Sequence, residues 1–261
     1  MLATVCAAAT LCAACTSSGD GSDAAGSRSG DAARPEAGAP TDAPATTTTV
    51  APVLDDGPCP EPGTDPTRVS CSVLVVPEDP ARPSERQVEL AVLHVRPAAD
   101  LADPAADDTA PVVYLHGGPG GAATPQWGVF LTVTDALGRD VYLFDQRGGG
   151  ASSPSLTCPE HDRALLAALT TTDTPAVERE RVGDALAACH ARLSAEGVDL
   201  DQYDLDASVR DLEALRSAIG APALTLVATS YGTRLAQRYH ELHPTRVAAM
   251  ALDGVDVTTP R

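Results

Sequence analysis

The chain alternates short continuous apolar runs with longer amphipathic stretches, and glycine-rich turns mark the joins. Val73 to Val76 reads as a strand, and Val88 to Val95 as a second, with Val88, Leu90, Val92 and His94 at the two-residue period of a pleated face. Val112-Val-Tyr-Leu115 and Val141-Tyr-Leu-Phe144 are uninterrupted runs, the pattern of strands buried on both faces. The first empties into His116-Gly-Gly-Pro-Gly-Gly121 and the second into Asp145-Gln-Arg-Gly-Gly-Gly-Ala-Ser152, both loop signatures. A later strand, Ala223 to Ala228, leads through a tight turn into a predicted helix from Tyr231 to Leu242. Helices are also predicted from Pro175 to Ala195 and from Ser208 to Ile219. The second has Ser208 as N-cap and Asp211 three residues on. Val209, Leu212, Leu215 and Ile219 follow at helical spacing, with Gly220 and Pro222 as the stop. Strands alternating with helices predict an α/β fold, a mostly parallel sheet with helices on both faces. Ligands in such sheets bind at the carboxyl ends of the strands, where all three loops emerge.

The N-terminal region has a different character. Met1 to Cys15 is an apolar run ending Leu11-Cys-Ala-Ala-Cys15, similar to a bacterial lipoprotein signal with Cys15 as the lipidated residue. No basic residue precedes the run, and Cys12 stands where an aliphatic side chain is usual. The run is too short to span a bilayer, which takes about 20 residues. Residues 1–14 are therefore expected to be a signal peptide, and 15–57, rich in Ser, Gly, Pro and Thr, a disordered tether with too little apolar content to build a core. Residues 58–261 form the folded part. The expected location is the outer face of a cell membrane, with membrane contact by lipid anchor only; a plain secreted protein is the alternative.

Charge and composition narrow the partners. The formal net charge is −18, from 36 acidic residues against 18 basic ones, all of them Arg, so nucleic acid and anionic surfaces are disfavoured. Aromatic residues make up 3% of the chain, too few for a stacking platform. Of seven cysteines, Cys6 and Cys12 would leave with the signal and Cys15 would carry lipid. Cys59, Cys71, Cys158 and Cys189 remain, and an even number in an exported chain predicts two disulfides with three pairings open. There is no Cys-x-x-Cys or paired-His spacing for a metal, and no Gly-Lys-Ser/Thr for a phosphate, so no metal or other cofactor is expected.

The candidate chemistry centres on Leu226-Val-Ala-Thr-Ser-Tyr-Gly-Thr233. A serine on a sharp strand-to-helix turn has its hydroxyl lifted above the sheet edge, and Ser230 is the candidate nucleophile. Attack on a carbonyl creates an oxyanion that needs preorganised N–H donors, and losing one costs about 100-fold to 1,000-fold in turnover. Gly118 is assigned one donor, with Gly117 as fallback, and Tyr231 the other. His116 is expected to shape the first loop. Asp145 and Arg147 are expected to brace the second, with an ion pair that touches no substrate as an equal alternative.

Taken in order, these loops and the Ser-Tyr-Gly-Thr turn resemble the proline iminopeptidase and tripeptidyl aminopeptidase branch of the α/β-hydrolases, over about Cys59 to Asp256. The resemblance extends to Val76-Pro-Glu-Asp-Pro80, to Tyr203 with Asp211-Leu-x-x-Leu-Arg216, and to Leu252-Asp-Gly-Val255. It implies serine hydrolysis of peptides from a free N-terminus by an exported lipoprotein. It also favours pairing Cys59 with Cys71 and Cys158 with Cys189. An esterase of the same fold and a non-catalytic envelope scaffold are the alternatives. The family's triad acid and His follow a helical lid, beyond the sixth core strand. This chain ends just after that strand, so it is expected to be an N-terminal portion, inactive without those two residues. Among its own histidines, His240 and His243 lie ten and thirteen residues along the helix after Ser230 and are expected to be too distant. His94, His161 and His190 are expected to be satisfied or solvated, and Asp253 a structural loop residue.

Overall fold

The computed structural model describes residues 52–103 and 110–257. The signal segment, Cys15 and the tether up to residue 51 lie outside the described residues. Seven strands form one sheet: β1 (Val53–Asp56), β2 (Val69–Pro77), β3 (Gln87–Val95), β4 (Val112–Leu115), β5 (Val141–Phe144), β6 (Leu224–Thr229) and β7 (Val247–Asp253). Their spatial order is β1-β2-β3-β5-β4-β6-β7. The first three join antiparallel, whereas β5, β4, β6 and β7 run parallel, so the sheet is mixed and its parallel half carries all three candidate loops. β1 falls within the stretch assigned to the tether. Its four residues pair with Ser72 to Val75 and add an edge strand.

Among the described residues five α-helices accompany the sheet: α1 (Trp127–Leu137), α2 (Pro159–Ala168), α3 (Pro175–Ala195), α4 (Leu205–Ala218) and α5 (Tyr231–Leu242). The sheet separates two apolar layers. Leu90, Val92, Leu115, Leu226 and Ala228 pack with Leu212 and Leu215 of α4 and Leu235 and Tyr239 of α5. On the opposite face Leu93, Val95, Val112, Val141 and Leu143 pack with Phe130 of α1. β3 thus turns Leu90 and Val92 to one layer and Leu93 and Val95 to the other. Each such Leu, fully buried, contributes about 1.5–3 kcal/mol of transfer free energy. The predicted alternation ends at His94, which stacks on Tyr142 at 4.4 Å and shares a 2.8 Å hydrogen bond with Asp140. Burial pushes the Tyr142 hydroxyl up to about 12. β7 is the outermost described strand on its side, and Ala248, Ala249, Met250 and Ala251 are exposed.

The expected N-cap of the fourth helix is corrected. The helix begins three residues earlier than predicted, at Leu205, and its cap is Asp204, whose Oδ1 accepts the Ala207 N–H at 2.7 Å. Ser208 is buried inside the first turns and its hydroxyl donates back to the Asp204 carbonyl. Asp satisfies an orphan N–H from the β-region, so capping at Asp204 leaves Asp211 free for a different role. The helices α2 and α3 form a hairpin closed by Cys158–Cys189, and Cys59–Cys71 ties the segment after β1 to β2. Both pairings agree with those implied by the resemblance.

Candidate active site

β6 enters the site with alternate residues Leu224, Leu226 and Ala228 fully buried. Ala228 is absorbed into the core layer. Ser230 then takes φ 53° and ψ −123°, the one positive φ on a non-glycine residue among those described. Such a conformation costs about 1–3 kcal/mol and survives only where the surroundings hold it. Here the Ser230 N–H donates to the Asp253 carbonyl at 2.9 Å, which fastens the turn to the end of β7. The Ser230 carbonyl accepts the Thr233 N–H at 2.9 Å and the Thr233 hydroxyl at 2.6 Å. The side chain of Ser230 is left exposed at the carboxyl edge of the sheet.

Two glycines permit this approach. A Cβ on Gly232 would lie 2.1 Å from the Leu115 carbonyl oxygen, so α5 packs on the end of β4 with no space for a side chain. A Cβ on Gly117 would lie 2.8 Å from Ser230 Cβ and 3.4 Å from its Oγ. The loop after β4 is therefore laid directly against the serine. Gly117 is the residue in contact, and Gly118 follows at φ 125°. Among the described residues neither the Gly118 nor the Tyr231 N–H donates to another main-chain carbonyl, and Tyr231 opens α5, where such donors are left over. The arrangement lays the Gly117 main chain beside the Ser230 hydroxyl and leaves the Gly118 and Tyr231 N–H groups without a main-chain acceptor among the described residues.

His116 stays within its own loop. Its Nδ1 lies 3.1 Å from the Gly117 carbonyl, its ring meets Tyr114 edge-on, and its carbonyl accepts the Gln146 amide at 2.9 Å. His240 is exposed near the end of α5, and His243 rests against Tyr239. His161 faces Asp162, and His190 is exposed on α3. No hydrogen bond joins any described histidine to the Ser230 hydroxyl. Asp253 contributes its carbonyl to the turn. Among the described residues no cluster of His, Cys, Asp or Glu could hold a metal.

The alternative, an ion pair between Asp145 and Arg147, does not form. The Asp145 carboxylate is wholly buried and accepts four hydrogen bonds, from the N–H groups of Ala123, Thr124 and Ala151 and from the Thr124 hydroxyl. It thereby ties the two glycine loops together from beneath. Arg147 turns instead to Asp211 on α4, with Nε and Nη2 donating at 2.7 and 2.6 Å. Its Nη1 donates to the carbonyls of Glu78 and Gln202, and the Tyr203 hydroxyl donates to the Glu78 carboxylate at 2.9 Å. Burial pushes the Asp211 carboxyl up, and the guanidinium beside it opposes that shift. Glu78, Tyr203 and Asp211 stood apart in the sequence as secondary motif positions. The fold gathers them around one buried guanidinium, a convergence no local pattern signals.

The fold and this turn define a class. Residues 110–260 match the alpha/beta hydrolase fold family, and the chain belongs to it. Serine protease Hip1 of Mycobacterium tuberculosis is 33% identical over 195 residues, covering 70% of this chain and 35% of the relative. The tripeptidyl aminopeptidase of Streptomyces coelicolor is 28% identical over 199 residues, 73% of this chain and 36% of the relative. A proline iminopeptidase of Arabidopsis thaliana is 30% identical over 148 residues, 57% and 27%. The chain thus spans about a third of the length of the curated relatives it matches. Among solved structures, proline iminopeptidase from Mycobacterium smegmatis aligns with TM-score 0.42 and 21% identity, over 69% of this chain and 42% of that one.

Proposed function

We propose that this α/β-hydrolase chain carries the nucleophile of a serine peptidase that removes residues from the free N-terminus of peptides. Ser230 is the nucleophile, and the N–H groups of Gly118 and Tyr231 receive the oxyanion. The observation that carries the reading is the strained Ser230, held at φ 53° with its side chain exposed and Gly117 pressed against it. A conformation that costs free energy and frees a hydroxyl at the sheet edge fits a reacting group. The relatives named as peptidases supply the substrate class. The test is labelling by a fluorophosphonate probe. Covalent modification of the wild-type chain should disappear in Ser230→Ala; a variant that still labels rejects the assignment, and a wild type that does not label favours the scaffold reading or a portion without its base.

The proposal includes an exported protein held at the outer face of the membrane by lipid on Cys15. Two disulfides among the described residues suit an oxidising compartment. In cells, Cys15→Ser should move the protein from the membrane fraction to the soluble one. Retention in the membrane fraction would refute the anchor.

A further inference from the structure

A cavity of about 280 Å³ lies at the edge of the sheet opposite Ser230, where helices return to strands. Val112, Val141 and Leu224 open the parallel strands β4, β5 and β6, and the register sets Val112 beside Val141 and Thr225. Pro111 and Asp140 immediately precede two of these strands, Pro222 lies two residues before the third, and all three border the cavity. Two helices end on it from opposite faces of the sheet. α1 stops at Gly138, with φ 62°, and α4 at Ile219 and Gly220, the latter with φ 69°. β6 is six residues long, so about 20 Å of strand separates the cavity from the serine at its far end.

The charges around this cavity are incompletely matched. Arg139 borders it, partly buried, and enters no ion pair among the described residues, in a chain with 36 acidic side chains for 18 basic ones. Its Nη2 donates to the Ala110 carbonyl, and its Nε is buried with no acceptor. Buried donors rarely stay unpaired, so the guanidinium has both charge and hydrogen bonding to offer. The negative groups are distinct from it. Asp140 engages His94 Nε2 through Oδ2 at 2.8 Å, and its side chain is 44% exposed, with Oδ1 outside that bond. Asp103 also borders the cavity, its N–H donating to the Gly138 carbonyl at 2.9 Å. The carboxyl ends of α1 and α4 add the negative poles of two helix dipoles. A simple anion would meet the guanidinium but also these negative groups, and a simple cation would meet Arg139. A molecule carrying both charges complements each. Pro111, Pro222 and Tyr142 supply uncharged wall for the rest of it. At about 30 Å³ per water the volume matches about nine waters, room for a molecule of about nine heavy atoms.

We propose that this cavity is a binding site for a small α-amino acid in its zwitterionic form, with the carboxylate on Arg139 and the ammonium toward Asp140 and the helix ends. The site is independent of Ser230 and of any turnover there. The probes are L-leucine; L-leucinamide, which lacks the carboxylate; N-acetyl-L-leucine, which lacks the ammonium; and inorganic phosphate as a plain anion. Each is titrated into the full chain while the amide signals of Gly138, Arg139, Gly220 and Ala221 are followed by NMR, with Gly117 and Gly149 at the opposite edge as controls. Leucine should shift the first four signals, saturate at millimolar concentration and leave the controls in place, with the other three probes at least about tenfold weaker. Arg139→Gln keeps a donor for the Ala110 carbonyl but removes the charge, and should bring leucine down to the level of leucinamide. Ala102 is exposed and borders the cavity, so Ala102→Trp should fill it with the thermal midpoint unchanged and abolish the leucine shifts. The proposal fails if leucine leaves the four signals in place or moves only the controls. It also fails if leucinamide, N-acetyl-leucine or phosphate binds as tightly as leucine, or if Ala102→Trp binds leucine as wild type does. Should Arg139→Gln not fold, the probe comparison and Ala102→Trp decide alone.

Discussion

Asp211→Ala should lower the unfolding free energy by about 3–5 kcal/mol, the usual cost of removing one partner from a buried ion pair. The side chains of Arg147 and Asp211 are only 3% and 1% exposed, so the orphaned guanidinium could not recover its hydration without opening the structure. Its carbonyl acceptors, Glu78 and Gln202, lie on separate segments, and both would be disturbed with it. Typical domains unfold with about 5–15 kcal/mol, so the variant would keep little margin. Urea unfolding followed by circular dichroism reads the change as a fall in midpoint. The double variant Arg147→Met with Asp211→Leu separates ion pairing from packing and should recover most of the loss, because replacing both charges leaves none buried alone. A single variant as stable as wild type would mean that Arg147 has another route to compensation.

Gly232→Ala is expected to reduce fluorophosphonate labelling of Ser230 by about 100-fold or more, the scale of loss from roughly 1 Å of misplacement. The added methyl would meet the Leu115 carbonyl oxygen at 2.1 Å, the Leu115 carbonyl carbon at 2.7 Å and the His116 carbonyl oxygen at 3.0 Å. All three atoms are main chain, so no side chain can turn aside. The helix must retreat from β4, carrying Ser230 and the Tyr231 N–H away from the loop that holds Gly117. Overpacking of this kind also costs about 1–3 kcal/mol of stability. Gly128 in α1 is the control, since a Cβ there meets nothing within 4 Å. Gly128→Ala should label normally and gain up to about 1 kcal/mol from helix propensity. Equal labelling of Gly232→Ala and wild type would refute the close-packing account.

Much of this architecture is legible along the chain because its signals are local. β4 and β5 appear at the predicted residues, and β6 within one, because continuous apolar runs bounded by glycine clusters have few other stable outcomes. The helix after Ser230 also appears over the predicted residues. Helix starts are less legible: Asp204 and Ser208 are both competent caps one turn apart, and burial of Ser208 decides between them. α1 and α2 carried weak signals, since α1 buries only Phe130 and Thr134 and α2 only Ala164.

The sequence by itself determined the α/β class, the order of the three loops and the Ser-Tyr-Gly turn, since each depends on residues within a few positions of one another. It also carried the family resemblance that favoured the two disulfide pairings the fold contains. Tertiary structure alone decided what Asp145, Arg147, Glu78, Tyr203 and Asp211 do. Asp145 and Arg147 are two residues apart with opposite charges, and proximity suggested a pair. In the sheet, successive positions past β5 turn to different surroundings, so Asp145 reaches the N–H groups under the loop after β4 and Arg147 reaches α4, 64 residues along the chain. Which partner a buried charge takes is set by the atoms that enclose it, and those come from segments that only folding brings together.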